Sequence, residues 1–443
     1  MTAEIAAAET IPQEVVYAQA PPLVSPGDRF RLFLFGGALL LLVNFADPSL
    51  GLINIPVSFF LKNRLHLHAN QLAVFKLWSG VPLFLAFMFG FLRDRWSPFG
   101  LGDRGHLMVF GLATGLIYAA VGLLNPTYAV LLAGMLVATA AFQVVGSAAA
   151  GLISTIGQQQ SIAGQMSSLF SIGITFPIVV SYLVGGVLSD MLEGRAATTA
   201  ARILFLTAAG LMLVIALFGV MRPRALFGAA NIAPPTTHFM HDIGRLLRHW
   251  PVYPVIMIQM LWQFAPGAGI VLQYHMSNTL HATDTQWGAW NAIFLGSFIP
   301  VFVGYGFLCQ RVPLSRLLWI GFGLAVFQMV PLLFVHTAVG ALMAAVPMGL
   351  IGGIGQAALT DLAIRSCPKG LQGTMMMLFN TAIYFIAVRF GDLFGTWLYD
   401  RHGGFITAVV ATIIVYALIL PVLLLVPKSL IATTDGEALA VGD

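Results

Sequence analysis

Charge is what this chain has least of. Asp, Glu, Lys and Arg together make up 9% of its 443 residues, where a soluble domain carries about 25%. That shortage excludes a large soluble enzyme. Cysteine is also scarce: Cys309 and Cys367 are the two in the chain, and both fall at expected helix ends on the same side. They read as free thiols and not as a bridge or a metal pair. The sequence signatures of several chemistries are missing as well. There is no G-x-x-x-x-G-K-[ST] loop to cradle a nucleotide, no H-E-x-x-H for zinc and no G-x-S-x-G for an acyl-enzyme. GLIGGIGQ (349–356) resembles a dinucleotide fingerprint, but no strand precedes it, and close helix packing is the better reading. The alternating ten-residue segments of a membrane barrel are absent too. We therefore expect no catalytic residues, no metal and no cofactor.

What the sequence does have is apolar length. Hydrophobic residues make up 58% of it and its mean hydropathy is +0.89. Runs of about 20 such residues cross a ~30 Å hydrocarbon core as helices, which satisfy their own backbone hydrogen bonds there. Hydropathy, glycine and proline together mark twelve spans, near 31–56, 70–92, 106–124, 127–153, 162–188 and 202–221, then 251–277, 286–308, 315–335, 338–364, 373–397 and 404–427. The fold class is an all-α integral membrane protein. Its expected parts are a disordered arm (1–28), a six-helix half (29–221), a linker (222–250), a second six-helix half (251–427) and a tail (428–443).

The basic residues choose the orientation. Fourteen of the 21 Lys and Arg residues, among them Arg93, Arg95, Arg104, Arg222, Arg224, Arg311, Arg316 and Arg365, fall on the side of the N-terminus. Five fall on the other side, and Lys76 and Arg389 lie within spans. By the positive-inside rule both termini are cytoplasmic, in a bacterial inner membrane. The same rule accounts for the net charge of +4 without nucleic acid. Glu4, Glu9 and Glu14 stand where a signal peptide needs basic residues. In the linker, THFMHDIGRLLRHW (237–250) reads as an amphipathic helix on the inner membrane surface, and His238, His241 and His249 do not read as a metal site.

The chain also repeats itself. GFLRDR (90–95) returns as GFLCQR (306–311), 216 positions later. LHLHANQLAVF (65–75) lines up with LHATDTQWGAW (280–290), GQMSSLF (164–170) with GTMMMLF (373–379), and GVLSD (186–190) with TWLYD (396–400). Several echoes at nearly one offset mean a duplicated six-helix unit. Two parallel six-helix halves resemble the major facilitator architecture, which implies a solute site between the halves and alternating access to it.

GFLRDR resembles that superfamily's loop signature. The resemblance implies gating roles for Gly90, which lets helices approach closely, and for Asp94 and Arg95. Asp94 is placed to meet the positive N-terminus of a span in the other half. Arg311 holds the second copy's position, and Asp361 with Arg365 forms an i,i+4 acid-to-base pair near the cytoplasmic end of the tenth span. A narrower resemblance is to the folate–biopterin transporter family, through PVSFFLKNRLHLHANQLAVF and GFLRDRWSPFGLGDRGHLMVFG (56–111), SIAGQMSSLFSIG (161–173) and CPKGLQGTMMMLFNTAIYF (367–385). The chain departs from that family at AAAGLISTIGQQQS (148–161), where the family carries charge and this sequence has none. Muropeptide permeases share the general layout. A non-transporting membrane assembly factor on the same fold is the alternative from another class.

Ionisable groups inside a membrane cost roughly 2.5–3.5 kcal/mol each by insertion scales, so each needs a reason. Asp47 in the first span, Lys76 in the second, and Arg389 and Asp392 in the eleventh are the four. We expect them to cluster across the halves, with Asp47 or Asp392 carrying a coupling proton and Lys76 or Arg389 receiving an anionic group on the cargo. Asn44 shares a helical face with Asp47. Further uncharged candidates are Gln143, Gln259, Gln263, Tyr274, His275, Asn291, Gln356 and Asn380. The function expected from the sequence is a proton-coupled secondary transporter of a small anionic organic solute, folate- or pterin-like by resemblance. Its partners are the solute, protons and the lipid bilayer, with no nucleic acid, and it works as a monomer.

Overall fold

The computed structural model describes residues 26–437 except 68, 231–243, 245, 247 and 402. The arm up to residue 25 and most of the segment read as an amphipathic helix lie outside the described residues. Among those described, every regular element is helical. Nine helices among the described residues are long and apolar enough to cross a membrane. They are Asp103–Leu123, Tyr128–Gln159, Ala163–Gly185, Ala197–Met221, Thr285–Leu308, Leu314–Phe334, Ala338–Ser366, Gln372–Arg401 and Gly404–Leu423. These fall on the third to sixth and the eighth to twelfth expected spans.

The other three expected spans are interrupted helices, and proline and glycine explain where. The first runs as Pro26–Phe45, stops, and resumes as Asn54–Asn63. Pro48 disfavours helical backbone at Asp47. Gly51 then lies so close to its own turn that a Cβ there would stand 2.5 Å from the carbonyl oxygens of Phe45 and Asp47. The second span is divided into Ala69–Ser79, Val81–Phe84 and Ala86–Arg95, around Pro82, which has no N–H to donate. The seventh breaks after Val252–Gln263 and restarts at Gly269, whose φ of +53° suits a residue without a side chain. It continues as Gly269–Tyr274 and a π-helical turn, His275–Thr279.

Small residues draw the helices of each half together, as expected where no hydrophobic drive separates helix from lipid. Gly111, Gly115 and Gly122 of the third span lie against Ala216, Met212 and Phe205 of the sixth. In the second half, Gly349 and Gly353 seat the tenth span on Phe294 and Val301 of the eighth, while Gly355 meets Gly321 of the ninth. Helix packing is thus what GLIGGIGQ does. The two halves meet mainly through the fifth span against the eighth and the second against the eleventh, pairs that the repeat interchanges. Beyond the last span, a short helix (Lys428–Ile431) and residues 432–437 fold back onto the bundle end that holds Asp94 and Arg365.

Candidate functional site

A cavity of about 460 Å³ lies between the halves, within the range that holds a small-molecule solute. Aromatic residues supply part of its wall: Phe142 and Phe170 from the first half, and Trp262, Phe294, Phe298, Phe302, Tyr384, Phe385 and Tyr416 from the second. Asn44, Asp47, Gln143, Gln259, Gln263, Gln328, Gln356, Asn380 and Asp392 supply polar groups. Of the expected uncharged candidates, Tyr274, His275 and Asn291 are not in the wall. His275 stacks on Phe405 at 3.8 Å, and Asn291 donates to the Trp287 carbonyl within its own helix.

Each cavity carboxylate belongs to a helix break. Asp47 Oδ1 accepts from the backbone N–H of Ser49 at 2.6 Å and Leu50 at 3.3 Å, an Asx-type turn that holds the chain between the two halves of the first span. Asp392 Oδ1 accepts from Ile270 N–H at 3.4 Å, at the start of the helix that resumes the seventh span. The eleventh span itself widens into a π-helical turn at Leu378–Ile383, which carries Asn380 and Thr381 into the wall. Such turns are frequent at functional sites.

The expected four-charge cluster is not assembled. Lys76 and Arg389 are exposed and neither lines the cavity. The charged neighbour of Lys76 is Arg389, a like charge from the other half. Arg389 and Asp392 share a side of their helix, but Nη1 stands 3.9 Å from Oδ2 and the Arg389 side chain is 58% exposed, too far for a hydrogen bond. Three residues turn a helix by 300°, so the two side chains point about 60° apart. Asp392 faces inward and Arg389 does not. Among the described residues the cavity wall holds two carboxylates and no Lys, Arg or His, so the groups expected to receive an anion stand elsewhere.

Several polar groups in the wall are already engaged. Asn44 donates to Leu40 O at 2.8 Å, Gln259 to Phe379 O at 3.0 Å, and Trp262 Nε1 to Gln356 Oε1 at 2.5 Å. Gln143 and Gln263 bond no partner among the described residues. Gln328 Oε1 is buried with no hydrogen-bond partner. Gln328 carries no signal in the sequence, where a lone glutamine in an apolar span reads as ordinary helix glue. Within the ninth span the α-helical stretch ends at Ala325 and the chain resumes as a 3-10 helix at Val330–Phe334, with Gln328 between them at the wall.

One end of the interface is closed by hydrogen bonds between the halves. Asp94 accepts from Gly373 N–H at 3.0 Å, Thr374 N–H at 2.7 Å and Thr374 Oγ1–H at 2.7 Å, so it does meet the N-terminus of a helix in the other half. Gly90 makes the approach possible: a Cβ there would lie 2.5 Å from Gly373 O. Gln158 donates to Ile364 O and Cys367 O and accepts from Gln372 Nε2. Ser167 and Ser168 donate to Ala357 O and Phe302 O, each at 2.6 Å.

Arg93 braces Asp94 from within its own half. Its guanidinium bonds Asp103 through Nε at 2.5 Å and Nη2 at 2.6 Å, and Asp94 through Nη1 at 2.7 Å. All three side chains are at most 5% exposed. A buried charge survives only when paired in this way. Gly151 leaves room for the guanidinium, since a Cβ there would stand 2.6 Å from Cζ. Asp103 opens the third span, where a carboxylate also favours the helix N-terminus. Of the remaining gate candidates, Arg95 lies over the Phe91 ring at 5.6 Å and Arg311 is exposed. Asp361 and Arg365 are a buried pair at 2.7 Å, with Tyr305 Oη donating to Asp361 at 2.9 Å.

Comparison with known proteins agrees with this layout. Residues 37–391 match the family model of the Major Facilitator Superfamily. The chain is similar in structure to the fucose transporter FucP of E. coli in its outward conformation, with a TM-score of 0.65 at 16% identity, over 89% of this chain and 99% of that one. It is similar to the human organic anion transporter MFSD10, with a TM-score of 0.62 at 14% identity over 91% and 100% of the two chains. It is also similar to the proton:xylose symporter XylE, with a TM-score of 0.63 at 13% identity over 89% and 94%. No curated protein matches in sequence.

Proposed function

The chain belongs to the major facilitator superfamily of transporters, and from that premise we propose that it is a proton-coupled secondary transporter of an uncharged or cationic organic solute. The observation that carries this reading is the cavity: two carboxylates at helix breaks, aromatic walls and no basic group among its described lining residues. An anion entering there meets repulsion in a low dielectric. A cation meets the carboxylates and the aromatic rings of the wall, worth roughly 0.5–2 kcal/mol per aromatic contact. A neutral solute with hydroxyl or amide groups finds free amides at Gln143 and Gln263.

The closed end carries most of the basic residues, which argues that it faces the cytoplasm. The cavity beyond it is then presented to the other side, in the state that awaits solute from outside. Asp47 and Asp392 are the groups able to take up a proton between the halves. Protonation removes the cost of holding a carboxylate beside apolar walls as the cavity closes, so proton and solute travel together. The fucose and xylose relatives are named as proton symporters, which supports coupling by analogy of fold. A folate-like cargo finds no basic receiver among the described residues of the cavity wall. A non-transporting assembly factor has no use for a cavity with unpaired amides.

A thermal-shift screen of the purified protein tests the solute class, because a ligand of the folded state stabilises it by mass action, about 2.7 kcal/mol at 100-fold over Kd. Hexoses, nucleosides, tetraphenylphosphonium and folate span the alternatives. Stabilisation by one of the first three, with folate inert, supports the reading. Stabilisation by folate alone overturns it.

A further inference from the structure

The second copy of the gate motif lacks its working residues. Aligning GFLRDR with GFLCQR puts Cys309 where Arg93 stands and Gln310 where Asp94 stands. Gln310 is exposed and donates only to Gly306 O of its own helix. Yet the helix N-terminus it would be expected to meet is not bare. By the repeat, Gly164 and Gln165 at the start of the fifth span correspond to Gly373 and Thr374 at the start of the eleventh, 209 positions on. Asp435 accepts from both: Gly164 N–H to Oδ1 at 3.0 Å and Gln165 N–H to Oδ2 at 2.9 Å.

The match extends to the arginine. Arg93 ties Asp94 to a second carboxylate, Asp103. Arg365 ties Asp435, through Nη2 at 3.0 Å, to a second carboxylate, Asp361. Both arrangements hold one buried guanidinium, two buried carboxylates and one helix N-terminus from the opposite half. The segment carrying Asp435 is fixed on both sides of the interface. Asp435 N–H donates to Cys309 O at 3.0 Å and Gly436 N–H to Ser161 O at 2.8 Å, while Arg365 Nη1 reaches Thr433 O and Oγ1. The Cys309 thiol, in the place of the lost arginine, donates to Asp435 Oδ2 at 3.6 Å.

We propose that Asp435, delivered by the C-terminal segment, is the second gate carboxylate of this transporter, replacing the acid that the loop after the eighth span has lost. The gate is then two-sided, and its second half is detachable. Asp94 rides on a helix end of the bundle, whereas Asp435 lies beyond the last span and is held by contacts that break when the halves separate at this end. Opening the closed end requires the segment to leave the fifth span, so whatever engages the C-terminus sets the transport rate. This inference rests on the alternating-access reading, but it concerns the closed end and not the cavity or its solute.

The test reads access to the cavity through the closed end. In the full chain with Cys309→Ser and Cys367→Ser, Thr175→Cys places a thiol in the cavity wall, and a membrane-impermeant maleimide is applied in vesicles from the face that bears residue 435. Asp435→Ala is expected to raise the labelling rate roughly tenfold or more, the effect also expected of Asp94→Ala, given what a set of hydrogen bonds across the interface contributes. Adding Gln310→Asp to Asp435→Ala puts an acid at the position that corresponds to Asp94 in the repeat and is expected to bring the rate back toward the parent. If Asp435→Ala accumulates poorly, a chain ending at Thr434 makes the same comparison without a substitution in the fold. Labelling that stays at the parent rate, or that rises and is not reduced by Gln310→Asp, overturns the assignment. Failure of the solute screen leaves this result untouched, since no solute is added.

Discussion

Asp94 and Thr374 sit in opposite halves of the molecule, yet two of the three hydrogen bonds that Asp94 accepts across the interface come from Thr374, through its N–H and its hydroxyl, each at 2.7 Å. The third comes from Gly373. Around this carboxylate the closed end is built, with Arg93 behind it and a helix N-terminus before it. Loss of the acid leaves Arg93 with Asp103 alone and the helix end uncapped.

Two substitutions should therefore differ in size. Asp94→Ala removes a buried charge from a hydrogen-bonded network and is expected to weaken the closed-end-shut state by about 3–5 kcal/mol. Thr374→Val removes the hydroxyl bond while keeping the N–H bond, and is expected to cost about 1–2 kcal/mol. Double-label distance measurements across the closed end read the populations. Equal effects from the two variants contradict the central place of Asp94.

Gly90 makes a sharper case, because the obstacle is backbone. A Cβ at Gly90 would lie 2.5 Å from Gly373 O and 2.7 Å from Thr374 Cα. Neither atom can swing aside as a flexible side-chain tip can, so Gly90→Ala is expected to hold the end ajar by pushing two helices apart. Gly194, with nothing near its would-be Cβ, is the control. Gly90→Ala should raise labelling of a cavity thiol from the closed face, and Gly194→Ala should not.

The contact of Asp94 with the other half was legible because the motif that carries it is local and repeated. A glycine, an acid and arginines at fixed spacing, at the end of an apolar run, say what they need, and a helix N-terminus answers. Asp435 was illegible for the opposite reason: 271 residues separate it from Gly164, and one of the three acids in the last sixteen residues carries no periodicity to single it out. The twelve apolar runs were plain, but the breaks decided which charges face inward. Lys76 was assigned to the cavity as if the second span were one helix. Interruptions at Gly80 and Leu85 reset its rotation, and Lys76 turns away. Asp47 lines the wall from a break and not from a continuous helix, because Pro48 disfavours helical backbone at the residue before it.

The split of the intramembrane charges makes its own prediction. Asp47→Asn and Asp392→Asn keep shape and remove a proton site, so each is expected to abolish gradient-driven uptake in proteoliposomes while solute counterflow continues. Lys76→Gln and Arg389→Gln lie outside the cavity wall and are expected to retain coupled uptake. Since Lys76 and Arg389 repel one another across the halves, their joint removal should ease closure on that side. Loss of coupling in Lys76→Gln with coupling intact in Asp47→Asn reverses the assignment of roles.

The last prediction concerns pH at the C-terminal segment, outside the spans. Burial, and then the nearby Asp361 carboxylate, push the Asp435 carboxyl up to about 6 from an ordinary 3.8. Arg365 and the N–H groups of Gly164 and Gln165 pull the other way without cancelling this. The ionisable groups facing it are Asp361 and Arg365 from the tenth span and Cys309 from the end of the eighth, while the fifth span presents uncharged Gly164 and Gln165. A docked segment thus holds its proton more tightly than a released one. By linkage, this contribution to docking is fully present below pH 3.8 and is lost as the pH rises through about 6. Spin labels at Gln160 and Thr434 report the docked fraction by distance, and that fraction should be larger at pH 5 than at pH 7.5. Asp435→Asn, which cannot titrate, should flatten the dependence. A docked fraction that instead grows from pH 5 to pH 7.5 means that the Arg365 and N–H contacts outweigh burial, and the segment then tightens as the medium turns alkaline.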